Sequence, residues 1–187
     1  MPNIVLALTG ASGAHAADLL VQKSPWPVTL VASRWGRDVY ERECGPFERI
    51  AGAVDRVLDD DDLSASVASG SVPTEGMVVL PCSSNTMAQI AAGLGSTLVA
   101  RAAHCHLKEG RKLVLCVREA PWTVMDLDNA RAVATAGGIV MPLSPPFYQS
   151  AGTDPAEVNM TTLLSTYVDR VLSLLGHPAS STWEDAR

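Results

Sequence analysis

The chain has 187 residues, 47% of them hydrophobic, and carries a formal net charge of −6 with an isoelectric point near 5.1. This length suits one well-buried domain and is short for two. The acidic balance argues against nucleic-acid binding and against adhesion to an anionic membrane, because both need a basic face.

Short runs rich in Val, Ile and Leu alternate along the chain with longer helical patterns. The predicted strands and helices are, in chain order, NIVLAL, HAADLLVQK, VTLVAS, GRDVYERE, GMVVLP, SNTMAQIAAGLG, KLVLCV, LDNARAVATAG, GIVMPL and PAEVNMTTLLSTYVDRVLSLLG. Apolar runs without polar alternation are typical of strands buried on both faces. The pattern predicts an α/β fold with a doubly wound, mainly parallel sheet.

The whole chain, 1–187, is predicted to form a single domain, in which a helix over about 154–176 and a tail over 177–187 serve in assembly. The four aspartates at 59–62 are interpreted as the solvated start of a helix, with no metal site. No apolar stretch approaches the length of a membrane span or a signal peptide, so no membrane segment is expected.

The pattern of cysteines indicates the cellular compartment in which the protein is expected. Cys44, Cys82, Cys105 and Cys116 form no C-x-x-C pair and no zinc-like spacing. They are expected to be free thiols in a reducing compartment, which makes the cytoplasm the simplest location.

The first predicted strand ends in Thr9-Gly10-Ala11-Ser12-Gly13, where small residues precede a helix. Such a turn brings bare backbone close to a ligand and aims the N–H groups of the first helical turn at it, a common way to bind an anion. The sequence of this turn matches neither the G-x-G-x-x-G motif nor a P-loop. An anion-binding turn and a plain strand-to-helix turn are therefore both possible interpretations.

Polar residues also follow other predicted strands, and ligands of doubly wound sheets bind at the carboxyl ends of strands. Ser33 follows the second strand. Four consecutive hydrogen-bonding residues follow the third: Ser83, Ser84, Asn85 and Thr86. One of them suffices as a helix N-cap, so the set predicts a polar cradle for a planar heterocycle and its phosphate. Cys82, just before them, is interpreted as a buried thiol that packs.

The stretch HLKEGRKLVLCVREAPW places charges around a strand that otherwise appears fully buried. Charges at such a strand are costly unless they are paired or used. Two interpretations stay open: a structural ion pair, or a phosphate clamp of Lys108 and Arg118 beside a proton-transferring Glu119. His104 and His106 cannot chelate one metal from a helix, because positions two apart face different ways.

Four stretches in this order resemble the UbiX-like flavin prenyltransferases: LTGASGA, MVVLPCSSNT, LVARAAHCHLKEGRKLVLCVREAP, and PPFY with VDRVLSLLG. The resemblance implies a Rossmann- or flavodoxin-like fold in a homo-oligomer built from trimers, up to a dodecamer. It also implies transfer of a dimethylallyl group from dimethylallyl phosphate to reduced FMN, without a metal. The product, prenylated FMN, would serve a UbiD-type decarboxylase.

The resemblance further implies roles for individual residues. Catalytic roles fall on Ser12, Glu43, Lys108 and Glu119, with Glu43 near a subunit boundary. FMN binding falls on Gly10, Ala11, Ser12, Ser33, Ser83, Ser84, Asn85, Thr86 and Arg101. Binding of the substrate phosphate falls on Lys108, Arg118, Tyr148 and Arg170.

The sequence departs from the family pattern at several positions. His104 stands where the family has an aspartate after RAA, Ala120 replaces the threonine of RETP, and SRWG replaces SKAA. The segment between Tyr148 and Arg170 is also longer than usual. These changes affect the expected geometry of the substrate phosphate site more than the expected binding of FMN.

Two other functions are weighed against the prenyltransferase. A flavin-dependent cysteine decarboxylase shares the fold. Members of that family resemble one another in a histidine after the second helical region and in a P-x-M-N motif. Residues 45–75 contain no histidine, and the later segment is VREAP. A non-catalytic FMN-binding or storage protein needs no acid beside a cation clamp, so Lys108, Glu119 and Tyr148 favour an enzyme.

Overall fold

The computed structural model describes residues 3–145, 147, 154 and 156–178. The strands are β1 (Ile4–Leu8), β2 (Val28–Ala32), β3 (Arg56–Asp59), β4 (Gly76–Cys82), β5 (Leu113–Val117) and β6 (Ile139–Val140). The helices are α1 (His15–Lys23), α2 (Arg34–Cys44), α3 (Glu48–Ala51), α4 (Ser84–Ala91), α5 (Leu98–Lys108), α6 (Val124–Thr135) and α7 (Met160–Leu175), with a 3₁₀ helix at Ser66–Ala68.

The described strands form one parallel sheet in the order β3-β2-β1-β4-β5-β6. The order reverses at β1, because β2 lies on one side of it and β4 on the other. Parallel neighbours need crossovers, and the reversal places the crossover helices on both faces of the sheet. The predicted doubly wound α/β fold is confirmed.

The central strands are buried on both faces, and this burial explains their sequences. In β1, Ile4, Leu6 and Leu8 belong to one core, which includes side chains of α1 and α7. Val5 and Ala7 point to the other core, which includes side chains of α4 and α5. Alternate residues of a strand face opposite sides, so both sets must be apolar.

The structure differs from the predicted elements in several places. β3, α3, α5 and the 3₁₀ helix at Ser66–Ala68 were not among the predicted elements. The aspartates at 59–62 end β3 and begin the following turn instead of starting a helix. β6 has two residues, and α7 begins at Met160, after the predicted start near 154. The role of α7 in assembly stays a prediction, and positions 179–187 of the predicted tail lie outside the described residues.

Within the described residues, no helix is both long and apolar enough to span a bilayer.

Candidate functional site

The turns after β1 and β4 meet at the carboxyl edge of the sheet, at the point where the strand order reverses. Thr9 joins them: its hydroxyl donates to the Pro81 carbonyl at 3.0 Å and accepts from the Ser83 N–H at 2.9 Å. The Thr9 side chain is buried. This junction lies where doubly wound sheets bind their ligands.

A cavity of about 1120 Å³ opens beside this junction, at the carboxyl ends of β1 to β4. That volume is sufficient for a nucleotide-sized ligand. Hydroxyl and amide side chains line one side of it. Acidic residues of α2 and of the turn after β3 line another: Asp38, Glu41, Asp59, Asp60 and Asp61.

The N-termini of α1 and α5 are occupied by carboxylates of the chain itself. One oxygen of Glu43 accepts the N–H groups of Gly13 and Ala14, both at 2.8 Å. The Asp60 carboxylate accepts the Val99 N–H at 2.8 Å. At Gly13 and Ala14 the glycine-rich turn after β1 thus binds a carboxylate of its own chain, and a ligand anion at this turn stays a prediction.

The N-termini of α2 and α4 are open toward the cavity. Their caps have the same arrangement: Ser33 accepts the Gly36 N–H at 3.0 Å, and Ser83 accepts the Thr86 N–H at 3.2 Å. The N–H groups of the first two residues of each helix have no acceptor among the described residues. Free N–H groups at a helix N-terminus favour an anionic ligand, so the geometry fits a phosphate.

The residues predicted to bind FMN mostly gather at this cavity. Five of them line it: Gly10, Ser33, Ser83, Asn85 and Thr86. Ala11 is buried in the adjoining turn, where its N–H donates to the Thr9 carbonyl at 2.7 Å, and Ser12 is exposed on the same turn. Arg101 is oriented differently, because its Nε donates to the Ala68 carbonyl at 3.0 Å.

Glu119 is not one of the residues that line the cavity and lies just outside it, at a rim that it forms with the start of α4. The Ser84 hydroxyl donates to one Glu119 oxygen at 3.3 Å, and the Ala120 N–H donates to the other at 3.0 Å. Arg118 is exposed and is tied to β4 by its N–H, which donates to the Cys82 carbonyl at 2.9 Å. Neither charged side chain forms an ion pair within the described part of the chain, so the structural ion pair has no support there.

A second carboxylate, Asp126, lies near the same hydroxyl. The Thr123 side chain and backbone bind it in a capping box at the start of α6. These hydrogen bonds, with a smaller one from Ser84, hold the pKa of Asp126 below its ordinary value. Asp126 is therefore a structural anion and stays ionised, whereas the side chain of Glu119 is exposed.

A single chain does not bring Lys108 to Glu119. Lys108 ends α5, which leads to the amino end of β5, whereas Glu119 follows the carboxyl end of β5. The five residues of β5 span roughly 16 Å at about 3.3 Å per residue. Lys108 instead pairs with Glu109 at 2.8 Å. The predicted clamp of Lys108 with Arg118 and Glu119 is therefore not formed within one chain.

The other predicted phosphate ligands are also not assembled at the rim. Arg170 lies on the exposed side of α7, where its Nη1 donates to Ser173 Oγ at 3.1 Å. Its neighbour Asp169 pairs with Lys23 of α1 at 2.6 Å, which places this part of α7 against α1. Tyr148 lies outside the described residues.

The buried thiols do not contribute to the cavity. Cys82 is fully buried, which confirms that it packs, and burial raises its pKa well above the ordinary value. Burial likewise raises the pKa of Cys116 to about 12. Both stay protonated and unreactive.

Among the residues that line the cavity, the sequence did not predict Trp35 and Asp60. Asp60 was interpreted as part of the solvated start of a helix. Glu43, which the family resemblance implied, binds the turn after β1 of its own chain. The strand β3, had it been recognised, would have placed Asp60 at the carboxyl edge.

Comparison with known proteins bears directly on this site. The Flavoprotein family matches residues 1–162 of the chain. The chain belongs to this family. Flavin prenyltransferase UbiX of Deinococcus radiodurans is 38% identical to this flavoprotein over 190 residues, which cover 98% of the chain and 94% of the relative.

Solved structures show the same likeness in three dimensions. AnUbiX in complex with FMN and dimethylallyl pyrophosphate superposes on this flavoprotein with a TM-score of 0.89, at 33% identity and over 97% of both chains. The dodecameric FMN-dependent UbiX-like decarboxylase of Escherichia coli O157:H7 gives a TM-score of 0.87 at 34% identity, over 97% of this chain and 98% of the other.

Proposed function

We propose that this flavoprotein is a flavin prenyltransferase, which transfers a dimethylallyl group from dimethylallyl phosphate to reduced FMN without a metal. The observation that carries the proposal is the similarity to the prenyltransferase of Deinococcus radiodurans, which extends over nearly the whole chain. The cavity fits the proposal, because it joins two open helix N-termini, suited to a phosphate, with a carboxylate at its rim.

The residues around the cavity fit FMN. The N-termini of α2 and α4, with the hydroxyls of Ser33, Ser83 and Thr86, offer donors for one phosphate. The acidic side of the cavity disfavours a second phosphate, so FMN is the expected flavin and FAD is not. Gly10, Ala11, Ser12, Ser84, Asn85 and Arg101 complete the proposed FMN set. Bound reduced FMN supplies the electron-rich group that accepts the dimethylallyl group.

Residues of the chain itself are proposed to stabilise the charge of the leaving phosphate and to transfer the proton. Breaking the allylic C–O bond leaves negative charge on the phosphate, which Arg118 stabilises at the rim. Glu119 protonates the leaving phosphate or takes up a proton released on transfer, and Ser84 orients it. Ser12, exposed on the turn after β1, would hold FMN near the group that accepts the dimethylallyl group. Glu43 supports Ser12 through the N–H groups of Gly13 and Ala14.

Lys108 and Arg170 are proposed to reach the substrate phosphate from neighbouring copies in a homo-oligomer, built from trimers and up to a dodecamer. Tyr148 is proposed to bind the same phosphate. Support comes from the placement of Lys108 and Arg170 away from the rim of their own chain, and from the dodecameric Escherichia coli relative. A UbiD-type decarboxylase is proposed to receive the product. We place this exchange in the cytoplasm, which agrees with four free thiols.

Anaerobic incubation of the protein with reduced FMN and dimethylallyl phosphate, followed by mass measurement of the flavin, tests the proposal. The expected flavin carries the added mass of one dimethylallyl group, with and without EDTA. Tight FMN binding without any mass change would identify a storage protein instead. Carbon dioxide released from a cysteine-ended peptide would identify a decarboxylase.

A further inference from the structure

Trp35 is the one aromatic residue among the described residues that line the cavity. It is the second residue of α2, two positions after the Ser33 cap, and 62% of it is exposed to solvent. The rest of the lining is dominated by hydroxyl, amide, carboxylate and guanidinium groups. A large aromatic side chain exposed in a cavity of this kind is available to stack on a planar ligand.

The backbone of Trp35 is held tightly by the end of β1. A Cβ added to Gly10 would come within 2.7 Å of the Trp35 Cβ, and one added to Gly36 would collide with the Leu8 carbonyl. Two glycines thus let the first turn of α2 press against β1 on both sides of Trp35. The backbone and Cβ of Trp35 are therefore fixed beside the turn after β1, which lowers the entropy cost of using the indole for binding.

The indole also has a defined environment. The Arg34 guanidinium lies 5.4 Å from the centre of the ring, within the range of a cation–π contact. Arg34 lines the cavity as well, so the cation and the ring form one continuous surface. This surface offers a flat aromatic patch with positive charge beside it.

The parts of FMN match the parts of the cavity one by one. The phosphate suits the N-termini of α2 and α4, and the ribityl hydroxyls suit the hydroxyl and amide side chains. The isoalloxazine ring is planar and apolar over its faces, and only Trp35 offers it an aromatic partner among the described lining residues. We propose that Trp35 stacks on the isoalloxazine ring of bound FMN and is a main determinant of flavin affinity in this chain.

This inference rests on the proposed function, since it takes FMN as the ligand. FMN titration of the wild-type protein, followed by tryptophan emission and by equilibrium dialysis, tests it. We expect Trp35→Ala to weaken FMN binding roughly 5- to 100-fold, the range seen when an aromatic platform under a base is removed. Trp35→Phe keeps an aromatic face and should bind within a few-fold of wild type, but most of the FMN-dependent loss of emission should disappear.

Trp26→Phe is the matched control. Trp26 precedes β2 at the opposite edge of the sheet and contacts His177 edge to face, with ring centres 6.0 Å apart. Its replacement should change neither the FMN affinity nor the FMN-dependent loss of emission. Thermal melting followed by circular dichroism shows whether each variant is folded. If Trp35→Ala is not folded, the emission of Trp35→Phe on FMN titration carries the test.

Three outcomes would overturn the assignment of Trp35. One is wild-type affinity in Trp35→Ala, and another is a full FMN-dependent loss of emission in Trp35→Phe. The third is a Trp35 emission that responds to protein concentration and not to FMN, which would place the indole in a contact between copies. A wild-type protein that binds no FMN would instead refute the proposed function itself.

Discussion

Glu119 is the residue at which catalysis and stability can be separated most cleanly. Its carboxylate contacts the Ser84 hydroxyl and its neighbouring N–H, and it is exposed. We expect Glu119→Gln to slow prenyl transfer by roughly 10²- to 10⁴-fold, the usual contribution of a positioned general acid or base. The melting temperature and FMN content should stay at wild-type values, because no described ion pair is lost.

Single-turnover prenylation, FMN content and thermal unfolding of one preparation test this expectation together. Glu48→Gln is the control, since Glu48 is exposed at the start of α3 and away from the rim. If Glu119→Gln melts early, loses FMN and keeps its turnover per bound flavin, then Glu119 has a structural role and our assignment fails.

Glu43 acts on the turn after β1 through two hydrogen bonds of 2.8 Å. Charged hydrogen bonds contribute about 1.5–3 kcal/mol each when buried, and less when partly exposed. We expect Glu43→Ala to lower the free energy of unfolding by about 1–2 kcal/mol and to weaken FMN binding, because Ser12 lies in the freed turn. Glu43→Gln retains an acceptor and should lose less. Urea unfolding of the three proteins measures the difference, and equal stability of all three would exclude the role.

At the level of secondary structure, the turn after β3 and the start of α5 depend on Asp60. Burial raises the pKa of Asp60, against hydrogen bonds from Val99, Thr97 and Leu98 that lower it. Because the folded-state pKa lies above the unfolded value of about 3.9, ionisation of Asp60 costs stability. That cost is absent below the unfolded pKa, grows as the pH rises toward the folded pKa, and is complete at neutral pH.

Asp60→Asn removes this cost and keeps an oxygen that can accept the Val99 N–H. We expect the melting temperature to rise by a few degrees at neutral pH, since 1 kcal/mol corresponds to roughly 2–4 °C for a chain of this size. The gain should shrink as the pH falls toward about 4. FMN should bind more tightly, because one negative charge leaves the cavity. Asp128→Asn, on the exposed side of α6, is the control, and a gain that is independent of pH would contradict the argument.

The strands that could be predicted are those that are fully buried, because full burial requires an uninterrupted apolar run in the sequence. β1, β2, β4 and β5 are buried at every residue, and the sequence had the matching apolar runs. β3 was missed because it is a four-residue edge strand with only Leu58 buried. The rule that ligands bind at strand ends led to Ser33 and to the residues after β4. The expectation that Lys108 and Glu119 meet came from their closeness in sequence, but residues on either side of a strand lie at opposite edges of the sheet. The role of Lys108 stays a prediction.

At the level of the whole molecule, α6 exposes apolar residues that none of the described residues covers. Val124, Met125 and Leu127 are 75%, 73% and 56% exposed, in the helix that follows Glu119. We expect Met125→Glu to reduce the size of the assembly in light scattering and to reduce turnover with it, because a charge in an apolar interface is costly. Thr135→Glu, exposed at the other end of α6, is the control. An unchanged assembly in Met125→Glu would exclude this face as the contact.

The placement of Lys108 away from Glu119 leads to the sharpest test of a shared site. Lys108→Ala and Glu119→Gln should each be nearly inactive alone. If Lys108 acts from a neighbouring copy, an oligomer assembled from equal amounts of both variants contains some sites with the wild-type residue at both positions. Random assembly puts about a quarter of the sites in that class, so turnover should recover to about a quarter of wild type. If both residues acted within one chain, no site would hold the intact pair and mixing would recover nothing.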